Sequence, residues 1–206
     1  RVVINLSTGT TDNYNIYTNR GGTYSAGSSD IILTVDGRVG STSTGNPAID
    51  TGVFASGDTV KIIVNDWVLG KGGVGGAGGT ASAANNSSAN STAGANGSAG
   101  GTALVLQFPI SLDNQSEING GAGGAVSTEA AGGAGGAGGE ATSIAYTNTS
   151  GGDGGAGGGH GSNGANGSSG VASASNGGAS SSIGGTGGAA GLAIQTNGNA
   201  ITYITT

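Results

Sequence analysis

The chain has 206 residues, of which 49 are Gly, 2 are Pro and none is Cys, with 8% charged residues and a formal net charge of −6. That length fits one domain or two small ones. Absent Cys excludes disulfides and thiolate metal sites, and the dispersed cations Arg1, Arg20, Arg38, Lys61 and Lys71 offer no basic cluster to nucleic acid or an anionic membrane.

Residues 1–70 read as ordinary β protein. Val2, Ile4 and Leu6 alternate with polar positions, and Ile31-Ile32-Leu33-Thr34-Val35 leads into the turn pair Asp36-Gly37. A further β-branched run, Val60 to Val64, closes on Asn65-Asp66. No segment sustains a 3.6-residue period, so helix content is expected to be very low. Segments 31–41, 60–73, 109–124 and 192–203 share one grammar: an alternating apolar strand, an Asx/Gly turn and a second short apolar segment. Two of them run straight into glycine, which predicts strand-turn-strand units that feed the glycine-rich part. No apolar stretch approaches a membrane span and no signal peptide is visible. A start at Arg1 predicts an excised, processed or partial chain.

From about 71 to 191 the chain carries Gly-Gly-X runs at 70–79, 120–124, 132–139, 151–158 and 184–188. Two Gly in three positions disfavour both an ordinary helix and a side-chain-packed strand. A three-residue period matches polyproline-II geometry, three residues per turn at about 3.1 Å rise. Two faces of such a helix carry no side chain, so backbones can approach closely and exchange N–H···O=C bonds. The expected scaffold is a stack of polyglycine-II helices, with Gly72, Gly73, Gly75, Gly76, Gly132, Gly133, Gly135, Gly136, Gly154 and Gly155 as its framework. Inserts at 80–100, 125–131, 140–150 and 159–183 are Ser, Asn, Thr and Ala stretches with turn chemistry, expected as loops at the ends of the stack. Residues 192–206 return to strand character.

Motifs for chemistry are weak. Lys71 is followed by Gly72 and position 66 is Asp, so the phosphate-binding loop pattern fails. Asp153 stands out of frame for a calcium-binding nonapeptide, and collagen requires one Gly per triplet with abundant Pro. Asp36, Asp58, Asp66 and Asp113 are read as turn residues whose side chains bond nearby backbone. His160 is the single His and has no neighbouring metal partners. Trp67 is read as a lid over the end of the β layer. No catalytic residue, metal site or cofactor is predicted.

The order of motifs resembles a known group. Tyr14-Asn15-Ile16, Asp50 to Asp58 and Val60 to Asn65 precede Gly70-Lys71-Gly72-Gly73. Ala103-Leu104, Ile118-Asn119-Gly120-Gly121, Gly187 to Gly191 and Ile194 to Asn199 follow. The pattern covers nearly the whole chain, from about Tyr14 to Ile204, and is similar to the glycine-rich receptor-binding adhesins of tailed bacteriophages, the polyglycine-sandwich proteins of long-tail-fibre tips.

The resemblance implies a mostly β and irregular fold with almost no α-helix. It further implies a β-rich attachment part (1–70), a polyglycine-II sandwich with recognition loops (71–191), and a C-terminal strand packing back on the β part (192–206). It implies a virion protein of the tail fibre or tail tip that binds a bacterial outer-membrane protein or surface glycan and attaches to a phage fibre or tail protein. Neither nucleic acid nor membrane insertion is implied. The recognition residues would come from the inserts: Asn85, Asn86, Asn90, Tyr146, Thr147, Asn148, His160, Asn163 and Asn166. Tyr among Ser, Gly and Asn gives contact area at low entropy cost. Members of this group often carry aromatic-rich loops, whereas these inserts hold only Tyr146 and His160. Rival readings are a structural fibre or self-assembling filament subunit, through open edges, and an ice-binding protein.

Overall fold

The computed structural model describes residues 1–76, 95–121, 163–166 and 186–204 in full, together with the backbone of short strands at 80–83, 91–92, 140–143, 148–150, 170–173 and 179–182. The chain divides into two compact units. The first takes Arg1–Lys71, Gly101–Gly121 and Gly191–Thr206; the second takes Gly72–Gly100 and Ala122–Ala190. The boundaries expected at 70 and 191 lie beside two of these joins, and Gly101–Gly121, within the glycine-rich sequence, belongs to the first unit.

The first unit is a parallel solenoid with three faces. Its first coil holds β1 (Val2–Thr8), β2 (Thr11–Asp12), β3 (Tyr14–Asn15) and the single short helix among the described residues, α1 (Ile16–Asn19). The second coil holds β4 (Ser29–Val35), β5 (Val39–Gly40) and β6 (Ile49–Asp50). The third opens with β7 (Thr59–Val64) and β8 (Val68–Leu69), departs through β9 (Thr80–Ala83) and β10 (Ser91–Thr92) of the second unit, and resumes at β11 (Leu104–Val105). The fourth has β12 (Ile110–Asn114) and β13 (Ile118–Asn119). It departs through β14 (Glu140–Ser143), β15 (Asn148–Ser150), β16 (Gly170–Ser173) and β17 (Ala179–Ser182), then resumes at β18 (Ile194–Gln195). Finally β19 (Ile201–Tyr203) adds a last strand to the first face.

Each face is a sheet in coil order: β1-β4-β7-β12-β19, β2-β5-β8-β13 and β3-β6-β11-β18. Every pairing within these three sheets is parallel. The Asx/Gly turns read from the sequence are therefore corners that pass the chain to the next face. In chain order, each stretch of the second unit follows a second-face strand and precedes a third-face strand.

Alternation along the strands determines what faces inward. Leu6, Leu33, Ile62 and Leu112 lie in one register column, as do Tyr14, Ile49, Leu104 and Ile194 on the third face. Leu33, Ile62, Ile49, Leu104 and Leu112 are fully buried. Burying each such side chain contributes about 1.5–3 kcal/mol. Tyr203 continues the first column on β19 and is 67% exposed.

Polar side chains repeat the stacking outside. Ser7 and Asn65 both donate to Asp36, at 2.9 and 3.0 Å, from positions 29 residues away on either side. Arg1 Nη2 approaches Asp30 Oδ1 at 2.7 Å, and Thr59 donates to the same oxygen at 2.6 Å. Asp113, expected in a turn, sits instead within β12, buried, 3.8 Å from Lys61 and bonded by Gln115. Trp67, expected as a lid, is 47% exposed at a corner, where its carbonyl accepts from the Val39 amide.

One corner carries most of the aromatic area of this unit. Phe54 makes edge-on contacts with Tyr17, Tyr24 and Phe108 at centroid distances of 5.1, 5.9 and 5.7 Å. The Arg20 guanidinium stacks 3.5 Å above the Tyr17 ring and 4.6 Å from Tyr24. Buried Asp58 accepts from the Tyr24 hydroxyl at 2.7 Å, the Ser29 amide at 2.9 Å and the Ala55 amide at 3.1 Å. Burial alone would push the Asp58 carboxyl up, but these donors hold it below the usual range. Gly57 belongs here, with φ of 97°; a Cβ there would meet the Gly27 carbonyl at 2.7 Å.

Candidate functional site

In the second unit the described glycine-rich segments pair without forming strands. Gly97 N donates to Thr186 O and Gly100 N to Ala189 O, each at 2.9 Å, so the bonds recur three residues apart on both segments. The same step separates Asn163 and Asn166, which accept from Ala190 N and Gly187 N at 2.7 and 3.0 Å. A β ladder repeats every two residues, so a period of three belongs to polyproline-II-like geometry. The 95–100 segment runs parallel to 186–190, and 163–166 runs antiparallel to it. On the far side of 95–100, Ser98 N donates to Val74 O at 2.8 Å.

Burial carries the same period. Val74 is 63% exposed while Gly73 is buried and Gly72, Gly75 and Gly76 are partly so. Thr186 and Ala189 are exposed around Gly187 and buried Gly188. A Cβ on Gly76 would overlap the Ala95 carbonyl, on Gly187 that of Gly164, and on Gly188 that of Ser98. Glycine is required at these crossings because main chain touches main chain. Of the predicted framework glycines, Gly76 sits at such a crossing and Gly72, Gly73 and Gly75 precede it in the same segment; Gly132, Gly133, Gly135, Gly136, Gly154 and Gly155 lie outside the described residues.

The inserts are not wholly loops. β9 pairs with β10 antiparallel and with β14 parallel, and β15, β16 and β17 form an antiparallel sheet. Sequence pattern missed these strands because it detects strands by apolar alternation, and Thr80-Ala81-Ser82-Ala83 or Ala179-Ser180-Ser181-Ser182 has almost none. Asn148 opens β15, opposite Ser173. Asn85, Asn86, Asn90, Tyr146, Thr147 and His160 lie outside the described residues. Asn163 and Asn166 are exposed, and their side-chain oxygens are engaged as given above.

Charge separates the units. All the Lys and Arg belong to the first unit, while the second carries only Glu129, Glu140 and Asp153 as charged residues. Such a surface offers amides, hydroxyls and main chain for contact, and no cation to recognise phosphate. Among the described residues no group of three His, Asp or Glu is placed to hold a metal, and no helix is long and apolar enough to cross a membrane.

A search among curated proteins found no match. A chain of the crystal structure of the gp37-gp38 adhesin tip complex of the bacteriophage S16 long tail fibre has a similar fold. The TM-score is 0.55 at 20% identity, covering 100% of this chain and 79% of that one. A family model described as phage tail fibre adhesin Gp38 matches residues 1–206. With a solenoid, a period-three glycine array and a family match over its full length, the chain belongs to the phage tail fibre adhesins of the Gp38 family.

Proposed function

We propose that this tail fibre adhesin is a non-enzymatic receptor-binding protein, in which the second unit meets an outer-membrane protein or surface glycan of the host bacterium. The observation that carries this reading is the main-chain bonding of the array. Its order does not depend on most side chains, so the inserts are free to vary while their mounting points stay fixed. A rigid mount lowers the ordering cost of binding. Contact residues are proposed from the inserts, with Asn85, Asn86, Asn90, Tyr146, Thr147, Asn148 and His160 foremost.

Attachment to a fibre or tail protein falls to the solenoid. Its first coil leaves β1, β2 and β3 each with one edge unpaired among the described strands, and open edges favour a covering partner. The relative in the S16 complex is likewise paired with a second fibre protein, gp37.

Exchange of residues 144–147, between β14 and β15, for an unrelated Ser/Asn/Thr sequence is expected to abolish adsorption to host cells with nearly unchanged melting. Adsorption that survives exchange of all the inserts refutes the proposal.

A further inference from the structure

The sequence suggests turn or contact roles for the Asn-Gly pairs of the second unit; the geometry points to another. We infer that Asn96, Asn163 and Asn166 are positioning residues of the glycine array, whose side-chain oxygens stand in for main-chain carbonyls as acceptors for the 186–190 segment. The assignment concerns how the array is held, and rests on the proposed receptor role only for its adsorption test.

The 186–190 segment lies between two others, 95–100 and 163–166, so its amides need acceptors on both sides. Three of them find Asn Oδ1: Thr186 N to Asn96 at 3.0 Å, Gly187 N to Asn166 at 3.0 Å and Ala190 N to Asn163 at 2.7 Å. The next residue closes the clamp from the other side. Gly97 N donates to Thr186 O and Gly164 N to Gly188 O, both at 2.9 Å. Asn96-Gly97 therefore grips both the N–H and the C=O of Thr186. Ser98 does similar work one segment away, with its Oγ accepting from Val74 N at 2.6 Å while its own amide donates to Val74 O.

The chemistry suits asparagine. Its side chain is an amide on one methylene, so it presents the same type of acceptor as a peptide, displaced from the backbone. The facing residue must be small for this approach: a Cβ on Gly187 would overlap the Gly164 carbonyl. Order in the array is thus not carried by glycine alone. Where a segment is flanked by neighbours out of carbonyl register, Asn supplies the missing acceptor. The paired Asn176-Gly177 lies outside the described residues.

The test is amide exchange on the full chain by nitrogen-15 NMR. In the unsubstituted protein, Thr186, Gly187 and Ala190 amides should be protected to the same order as the main-chain-bonded Gly97, Gly100 and Gly164; unprotected exchange at the first three overturns the inference. Asn163→Ala should speed exchange at Ala190 about tenfold with little change at Thr186, and Asn96→Ala the reverse. Asn163→Asp keeps an acceptor and should restore Ala190 protection; failure to restore it overturns the inference. Adsorption supplies an independent arm. Asn163→Asp should adsorb normally, whereas loss of adsorption with Ala190 still protected would overturn the assignment of Asn163 to positioning alone. If the unsubstituted protein does not adsorb at all, the receptor proposal fails while the exchange results still decide the clamp.

Discussion

The two units solve the same problem with opposite materials. In the solenoid, side chains point inward and stack coil on coil, so order derives from columns such as Leu6-Leu33-Ile62-Leu112. In the glycine array, main chains touch and side chains such as Val74 and Thr186 point out. The first arrangement constrains its sequence at every inward position. The second constrains it at the glycines and a few acceptor residues.

This contrast is open to direct attack. The largest effect is expected from Leu33→Ala, which empties a fully buried position between Leu6 and Ile62 in the first-face column. A loss of about 2–5 kcal/mol in denaturant unfolding should follow; a loss as small as that of a surface substitution would mean that the solenoid is not held by its core.

Gly188→Ala probes the other unit by adding one methyl where the Ser98 carbonyl already sits. Overpacking of this kind costs about 1–3 kcal/mol. The damage should register as faster exchange at Gly97, Gly100 and Gly164 while the amides of β4 and β7 keep their protection. Equal loosening of both units would show that they do not respond separately.

The smallest effect concerns pH. Asp58 has a folded pKa below its unfolded one, so the stability it contributes is complete above about pH 3.9, the ordinary Asp value. That contribution is lost as pH falls through the lowered folded value. Asp58→Asn should therefore melt below the unsubstituted protein near neutrality, and the gap should narrow in acid. A gap that stays constant down to pH 2 would remove Asp58 from the acid response.

Much of the organisation is legible in residues. Alternation at Val2-Ile4-Leu6 and Val60-Ile62-Val64 announces strands, and the Gly-Gly-X phase announces close-packed backbone. The two repeats that run into glycine, 60–73 and 109–124, are the two coils that open into the second unit. The coil repeat itself is also written in the chain: Ile31 and Val60, Val35 and Val64, and Val39 and Val68 are paired register neighbours. It is hidden because the later coils are interrupted. Ile49 pairs with Leu104, and Leu104 with Ile194, across excursions that erase any constant spacing. The fourth similar segment, 192–203, follows the same local grammar but begins on the third face rather than the first, with β18 on the third face and β19 on the first.

By itself, then, the sequence determines which stretches extend, which glycines must pack and that helix is nearly absent, since these follow from local sterics and periodicity. Tertiary structure alone decides that the turns are corners, that Gly101–Gly121 belongs with the solenoid, and that Asn163 and Asn166 bond into the array. Those outcomes depend on partners far along the chain. An Asn looks the same in a sequence whether its amide faces solvent or an unpaired N–H from another segment.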